Sequence, residues 1–203
     1  MDDIKLEKAQ QKAPPKAKEN LIIKRIIWFC IILDILIIDQ ISKWAITELV
    51  LRPQSSGQGN SLSLIDWYMS APPILPYAQI QITSFFNIVI VWNTGVSFSM
   101  FSNGGEYMPA ILIAVALGIA LIFTIWMLRT NSHLFGICYA LIIGGALGNI
   151  VDRARFGAVI DFLDFHVAGY HWPAFNVADM AVVSGVVILI IVSIFFKQEE
   201  ETK

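Results

Sequence analysis

The chain has 203 residues, of which 56% are hydrophobic and 15% are charged, with a formal net charge of -2. A soluble domain of this length is typically about a quarter charged, so the composition excludes an ordinary soluble protein and indicates an integral membrane protein. The charges are concentrated towards the two ends of the sequence. Both cysteines, Cys30 and Cys138, lie in apolar runs. We predict that both are buried and act as small hydrophobic side chains. Their number and spacing suggest no disulfide framework, zinc site or cysteine nucleophile.

The first fifty residues predict a polar tail followed by a membrane span. Residues 1–20 are polar and rich in lysine, which indicates a disordered cytoplasmic tail. The first span is expected at about 26–46, with Asp39 in the outer part of the bilayer. Lys43 lies four residues further on the same helical face and can pair with Asp39. This pair either closes the helix end or supports an adjacent active site. Residues 53–83 carry the Gly, Ser and Pro punctuation of an outward surface insertion.

β-branched and aromatic residues dominate residues 84–101, which predict two short strands around a turn at Asn93-Thr94-Gly95. Asn93 alone is typical of a turn residue, although its amide could also bind a peptide backbone. Three further apolar runs, at 109–128, 134–151 and about 177–196, are long enough to cross a bilayer as helices.

Most of the lysines and arginines lie in segments that the four predicted spans place on one side of the membrane: the N-terminal tail, Arg129 and the C-terminal end from Lys197. Residues 53–108 contain neither. The positive-inside bias therefore puts both termini in the cytoplasm. We predict a mainly α integral membrane protein with four transmembrane helices and a small extracytoplasmic β-rich cradle. A single domain is expected over residues 21–197, followed by a short cytoplasmic tail at 198–203.

Acidic residues are concentrated in one stretch on the predicted outer side, at Asp152, Asp161, Asp164 and Asp179. Asp152 ends the third span, where the helix dipole disfavours a carboxylate, and we expect Arg153 to pair with it. Asn176 and Asp179 fit the cap of the fourth span and would present a carboxylate to the groove beside the third. If residues 157–164 are extended, Asp161 and Asp164 point in opposite directions.

Two carboxyl groups that share a site near the membrane surface have a known chemical use. Repulsion and desolvation raise the pKa of one of them. One carboxylate then takes a proton from water while the other, protonated, polarises a carbonyl, as in aspartic proteases. No Ser/His/Asp, Cys/His or metal-ligand pattern competes, and His166 and His171 are expected to be solvated loop residues. A transporter that uses the acids as a proton relay and a non-catalytic assembly factor are the alternatives. The outward clustering of the acids favours a surface site.

Four pieces of sequence occur together and in a specific order: DQISK (39–43), FFNIVIVWNTGVSFSMF (85–101), GGALGNIVDRARFGAVIDFLDF (144–165) and FNVAD (175–179). In these pieces the chain resembles the lipoprotein signal peptidases, or signal peptidase II. The resemblance implies a bacterial inner-membrane aspartyl endopeptidase with four helices and an outward β-cradle, without metal or cofactor. The insertion at 53–83 is long for this family.

The resemblance implies that Asp161 and Asp179 form a catalytic dyad, although Asp152 stays open as an alternative catalyst. It also implies residues that hold the substrate backbone and order the dyad, at Asn93, Asn149, Arg153 and Asn176, and supporting residues at Asp39, Lys43 and Asp152. The implied substrates are prolipoproteins whose lipobox cysteine carries diacylglycerol, cut just before that cysteine at the outer face of the inner membrane. We expect a monomer that contacts substrate and membrane lipid, and no nucleic acid.

Overall fold

The computed structural model describes residues 15–55, 60–70, 72–95 and 107–201. Within these residues, four long helices accompany a small antiparallel sheet, which confirms the predicted fold class. The helices are α1 (Pro15–Trp44, continued by a π-helical segment, Ala45–Leu51, and a 3-10 turn, Arg52–Gln54), α2 (Leu64–Met69), α3 (Met108–Arg129), α4 (His133–Phe156) and α5 (Val177–Glu201). The strands are β1 (Gln79–Gln81), β2 (Phe86–Asn93), β3 (Val159–Val167) and β4 (Tyr170–His171).

Three helices of the described part are long and apolar enough to cross a membrane: α3, α4 and Val177–Ile194 of α5. Helix α1 is equally long but carries Asp34, Asp39 and Lys43 in its apolar portion. Charged side chains are costly in lipid, so composition alone does not identify α1 as a span. Three of the four predicted spans are thus supported by length and composition, and the first span stays a prediction.

The sheet lies at one end of the helices, in the order β1-β2-β3-β4, with every neighbouring pair antiparallel. Helix α4 ends at Gly157, whose φ of 71° is left-handed and ends the helix, because glycine adopts this conformation without steric cost. Strand β3 begins two residues later and pairs with β2, with Asn93 opposite Val159. The predicted extended segment after a glycine turn is therefore confirmed.

The predicted strand pair around Asn93 is observed in part. Strand β2 ends at Asn93, and Gly95 N donates to Asn93 Oδ1 at 3.1 Å, which confirms the turn. The second strand was expected after residue 95, and residues 96–106 lie outside the described part. The predicted insertion contains regular structure, namely the short helix α2 and strand β1. Trp67 of α2 is fully buried, so this segment packs onto the body of the protein.

Small residues on α4 let neighbouring helices approach closely, as is typical of helix contacts in membranes. A Cβ at Gly136 would collide with the ring of Trp28, and one at Gly145 would collide with the backbone oxygen of Ala178. Cys138 on the same helix is buried as predicted. The prediction for Cys30 was wrong, because this side chain is exposed on the surface of α1.

We predict that Gly145→Ala destabilises the protein by about 1–3 kcal/mol through overpacking, because the new methyl group would collide with the backbone of α5 rather than a flexible side chain. The matched control is Gly118→Ala on α3, where a Cβ meets nothing within 4 Å. This variant should unfold like wild type or at a slightly higher temperature, since alanine is the better helix former. Thermal unfolding in detergent measures both, and equal melting temperatures would contradict the close α4–α5 contact.

Candidate active site

Asp161 and Asp179 line one pocket, although they belong to different elements. Asp161 lies on β3 and Asp179 in the first turn of α5. The alternation of β3 turns Asp164 the other way, where its carboxylate accepts from Asn87 Nδ2 at 2.7 Å and lies 2.9 Å from His171 Nδ1. The prediction that Asp161 and Asp164 point in opposite directions is therefore confirmed.

Asn176 is the residue that connects the two carboxyl groups. Its Oδ1 accepts from Asp179 N at 3.0 Å, and Asp179 Oδ2 accepts from Asn176 N at 3.2 Å. This reciprocal pair is a capping box, which confirms the predicted cap. The remaining group of the side chain, Nδ2, donates to Asp161 Oδ1 at 2.7 Å. One asparagine thus starts α5, fixes Asp179 and binds Asp161.

Two more asparagines donate to the same carboxyl groups. Asn149 Nδ2, from α4, donates to Asp179 Oδ1 at 2.8 Å. Asn93 Nδ2, from the end of β2, donates to Asp161 Oδ2 at 3.0 Å. Asn93 is therefore both the predicted turn residue and a polar group of the site. Every carboxyl oxygen of the two aspartates accepts a hydrogen bond from a neutral amide.

Burial raises the pKa of the Asp161 carboxyl to about 7, and the negative charge of Asp179 adds to the increase. Hydrogen bonds from Asn93 and Asn176 and the charge of Lys43 oppose this increase. Asp161 is only 2% exposed, which accounts for the dominance of desolvation. Near neutral pH, a protonated carboxylic acid can therefore stand beside a second carboxyl group, as general acid–base chemistry requires.

The pocket has a volume of about 700 Å³ and two distinct parts. Its polar part is formed by the two aspartates together with Asn93, Asn149 and Arg153. Its apolar part lies between α3 and α5, and its walls include Leu112, Val115, Ile119, Met180 and Val183. The pocket therefore suits a ligand with a polar bond at one end and a long apolar portion.

The prediction that Arg153 pairs with Asp152 was wrong. Consecutive residues of a helix do not face each other, and the two side chains leave α4 in different directions. Arg153 Nη2 donates to Gly95 O at 3.0 Å, beside the pocket. Asp152 is fully buried, and its carboxylate lies 2.7 Å from Lys43 Nζ. Asp152 does not line the pocket, which argues against it as a catalyst.

The predicted pair of Asp39 and Lys43 is confirmed, at 2.8 Å between Oδ2 and Nζ. Gln40 was not predicted to take part, yet its Nε2 donates to Asp152 Oδ1 at 2.8 Å. Its position next to Asp39 was the only signal in the sequence. His166 and His171 were expected to be solvated loop residues. They lie on strands β3 and β4 instead, where His171 is exposed as expected and also contacts Asp164.

Within the described residues, no group of three or more His, Cys, Asp or Glu side chains is arranged to hold a metal ion. The oxygens of Asp161 and Asp179 instead contact amide donors. These contacts suit carboxyl groups that exchange protons.

Comparisons with known proteins agree with this geometry. The family described as Signal peptidase (SPase) II matches residues 31–195. A lipoprotein signal peptidase of Francisella tularensis subsp. novicida (strain U112) is 47% identical over 131 residues, which cover 62% of this chain and 80% of the relative. A lipoprotein signal peptidase of Ralstonia nicotianae (strain ATCC BAA-1114 / GMI1000) is 48% identical over 112 residues, covering 54% of this chain and 64% of the relative.

A solved structure of a bacterial membrane enzyme has the same fold, with a TM-score of 0.64 and 22% identity, and the match covers 87% of this chain and 92% of that one. A second such structure has a TM-score of 0.59 at 22% identity, covering 82% and 91%. The resemblance predicted from the sequence is confirmed: the chain belongs to the signal peptidase II family, aspartic peptidases that remove signal peptides from prolipoproteins.

Proposed function

We propose that Asp161 and Asp179 are the catalytic dyad of this peptidase. The proposal rests on one observation above all: Asn176 binds both carboxyl groups at the polar end of a long apolar pocket. The substrates are prolipoproteins whose lipobox cysteine carries diacylglycerol, and the bond cut lies just before that cysteine. The apolar walls from α3 and α5 suit acyl chains and the hydrophobic part of a signal peptide.

The proposed reaction divides the acid and base roles between the two aspartates. Asp161, whose pKa is raised to about 7, is protonated and donates a hydrogen bond to the oxygen of the scissile carbonyl. Asp179 is ionised and takes a proton from the attacking water. The water oxygen bonds to the carbonyl carbon and gives a tetrahedral intermediate. Asp179 then returns this proton to the amide nitrogen, the C–N bond breaks as the carbonyl group re-forms, and the signal peptide leaves with a new carboxylic acid end.

The residues around the dyad have separate proposed roles. Asn149 donates to Asp179 Oδ1 and holds that carboxyl group in place. Asn93 and Arg153 line the pocket beside the dyad and are placed to hold the substrate backbone. Asp39, Lys43 and Asp152 support the site from outside the pocket.

The proposed placement in the cell follows from the charge distribution. Both termini lie in the cytoplasm and the dyad lies at the outer face of the inner membrane, because most lysines and arginines lie at the end of the helices opposite to the acidic stretch. A lipid-anchored bond would then be cut at the membrane surface, in contact with membrane lipid. We propose that residues 21–197, including the insertion and the cradle, act as one domain in a monomer.

Neutralising either member of the dyad should abolish cleavage. We expect Asp161→Asn and Asp179→Asn each to lower the rate by about a thousandfold or more, because an amide replaces a proton donor or acceptor. The measurement is conversion of a purified diacylglyceryl-modified prolipoprotein, followed by gel mobility. Asp164→Asn is the matched control, since it changes the same strand on the opposite face. It should stay within a few-fold of wild type, whereas a fully active Asp161→Asn enzyme would contradict the dyad.

The activity should decrease as the pH rises through neutrality, and this decrease is the falling limb of the pH profile. The active form needs Asp161 protonated, and its pKa is raised to about 7. We therefore expect kcat/KM to fall about tenfold per pH unit above that value. Asn93→Ala removes a hydrogen bond that lowers the pKa of Asp161, so its limb should move to higher pH. A limb that stays in place in this variant, or an activity that rises with pH, would contradict the assignment of the proton to Asp161.

A further inference from the structure

A second cluster of buried charge surrounds Lys43, beside the dyad but outside the pocket. The ammonium Nζ lies 2.8 Å from Asp39 Oδ2 and 2.7 Å from Asp152 Oδ2, and all three side chains are fully buried. Its third acceptor is Asn149 Oδ1, at 3.4 Å. Gln40 Nε2 donates to both carboxylates, at 2.8 Å to Asp152 and 3.1 Å to Asp39. The three N–H donors of the Lys43 ammonium therefore each have an acceptor, on Asp39, Asp152 and Asn149.

The carboxylate of Asp39 connects this cluster to Asp179. While its Oδ2 binds Lys43, its Oδ1 accepts from Ala178 N at 3.0 Å. Ala178 directly precedes Asp179, and consecutive Cα atoms are about 3.8 Å apart. This N–H belongs to the peptide unit that ends at the Ala178 Cα atom, so fixing it restrains the Cα atom next to the one that carries the Asp179 side chain.

The carboxylate of Asp152 makes the corresponding connection to Asp161. Its Oδ2 contacts Lys43 Nζ and also accepts from Ile160 N at 3.1 Å. Ile160 directly precedes Asp161 in β3. The two carboxylates held by one ammonium thus each bind the backbone N–H of the residue before a dyad aspartate.

Lys43 also determines which way the amide of Asn149 faces. Two donors, Lys43 Nζ and Asn176 Nδ2, lie 3.4 and 3.2 Å from Asn149 Oδ1. An ammonium has no acceptor, so a flipped amide would place two donors against each other. The oxygen must face Lys43, and Nδ2 must face Asp179.

We propose that Lys43 is a positioning residue that sets the distance between Asp161 and Asp179 and keeps the Asn149 donor directed at Asp179. The inference rests on the proposed function of the dyad. Its consequence is kinetic, because misplacing reacting groups by about 1 Å can cost about a hundredfold in rate. A role in stability alone is a poor explanation of the cluster, since desolvation offsets much of the gain from a buried ion pair.

The tight fit of Asp39 supports this role. A Cβ at Gly148 would lie 2.6 Å from Asp39 Oδ2, so the carboxylate fills the space that glycine leaves on α4. The contacts of the cluster reach three helices and one strand: α1, α4, α5 and β3. By binding both Asp39 and Asp152, the Lys43 side chain therefore fixes the position of α5 relative to β3, the two elements that carry the dyad.

The test compares Lys43→Met and Lys43→Arg with wild type, using the purified full-length chain and a diacylglyceryl-modified prolipoprotein. We expect Lys43→Met to lower kcat about a hundredfold, with KM changed less than about threefold. Lys43→Arg should also lower kcat, because a planar guanidinium cannot replace a compact ammonium between two carboxylates. Lys24→Met is the control, since it makes the same change on α1 at a half-buried lysine outside the cluster, whose Nζ donates to Asn131 O.

The pH profile separates positioning from a merely structural role. The charged groups that act on Asp161 are Asp179, Lys43 and Arg153. Removing the positive charge in Lys43→Met should move the falling limb of kcat to higher pH. Lys43→Arg keeps the charge, so its limb should stay at the wild-type position while kcat stays low. A structural role would lower the yield of folded protein without changing kcat or the limb of the folded fraction.

A folded Lys43→Met enzyme with the kcat of wild type, alongside an inactive Asp161→Asn enzyme, would overturn the inference and leave the dyad in place. An active Asp161→Asn enzyme would instead overturn the proposed function. If Lys43→Met is not recovered folded, Asp39→Asn decides. Its amide oxygen can still accept from Ala178 N, but its amide nitrogen cannot bind the ammonium. We expect about a hundredfold lower kcat in this variant, and a wild-type kcat there would overturn the inference.

Discussion

The site depends on the hydrogen bonds of Asn176. Two carboxyl groups that approach each other in a buried place repel when both are ionised. Asn176 offsets this cost by binding Asp161 through Nδ2 and Asp179 through its backbone N–H. Because its Oδ1 also caps α5, the start of that helix and the geometry of the dyad cannot change independently.

The helix packing serves this same junction. Gly145 brings the backbone of α4 against that of α5 at Ala178, and Gly148 leaves room for Asp39 beside the same residue. The start of α5 is therefore enclosed by two other helices. Gly157, in the left-handed conformation, ends α4 and lets the chain turn back into β3. Asp161 on β3 therefore lies beside the start of α5. Apolar packing positions the backbone, and polar groups then complete the site.

The features that could be predicted from the sequence are those decided by near neighbours. Apolar run length, the capping pattern at Asn176 and the alternation of β3 depend on residues within one turn or one strand. The mistaken predictions about side-chain contacts concern partners that only the fold brings together. Asp152 lies beside Arg153 but binds Gln40, 112 residues away, because a helix turns consecutive side chains to different faces. The contact of His171 with Asp164 joins residues only seven apart, but it depends on the pairing of β3 with β4, which short polar segments do not reveal.

The arrangement of charge explains how a lysine can support an aspartic dyad without disabling it. A cation in direct contact with Asp161 would strongly favour its ionised form and remove the proton that the reaction needs. In this protein Lys43 contacts Asp39 and Asp152, which balance its charge, and it reaches the dyad through backbone N–H groups and the Asn149 amide. The dyad oxygens themselves contact neutral amides. Such donors hold a carboxyl group in place while perturbing its proton affinity less than a neighbouring cation would. Separating the charged cluster from the dyad thus combines rigid placement with a pKa near neutrality.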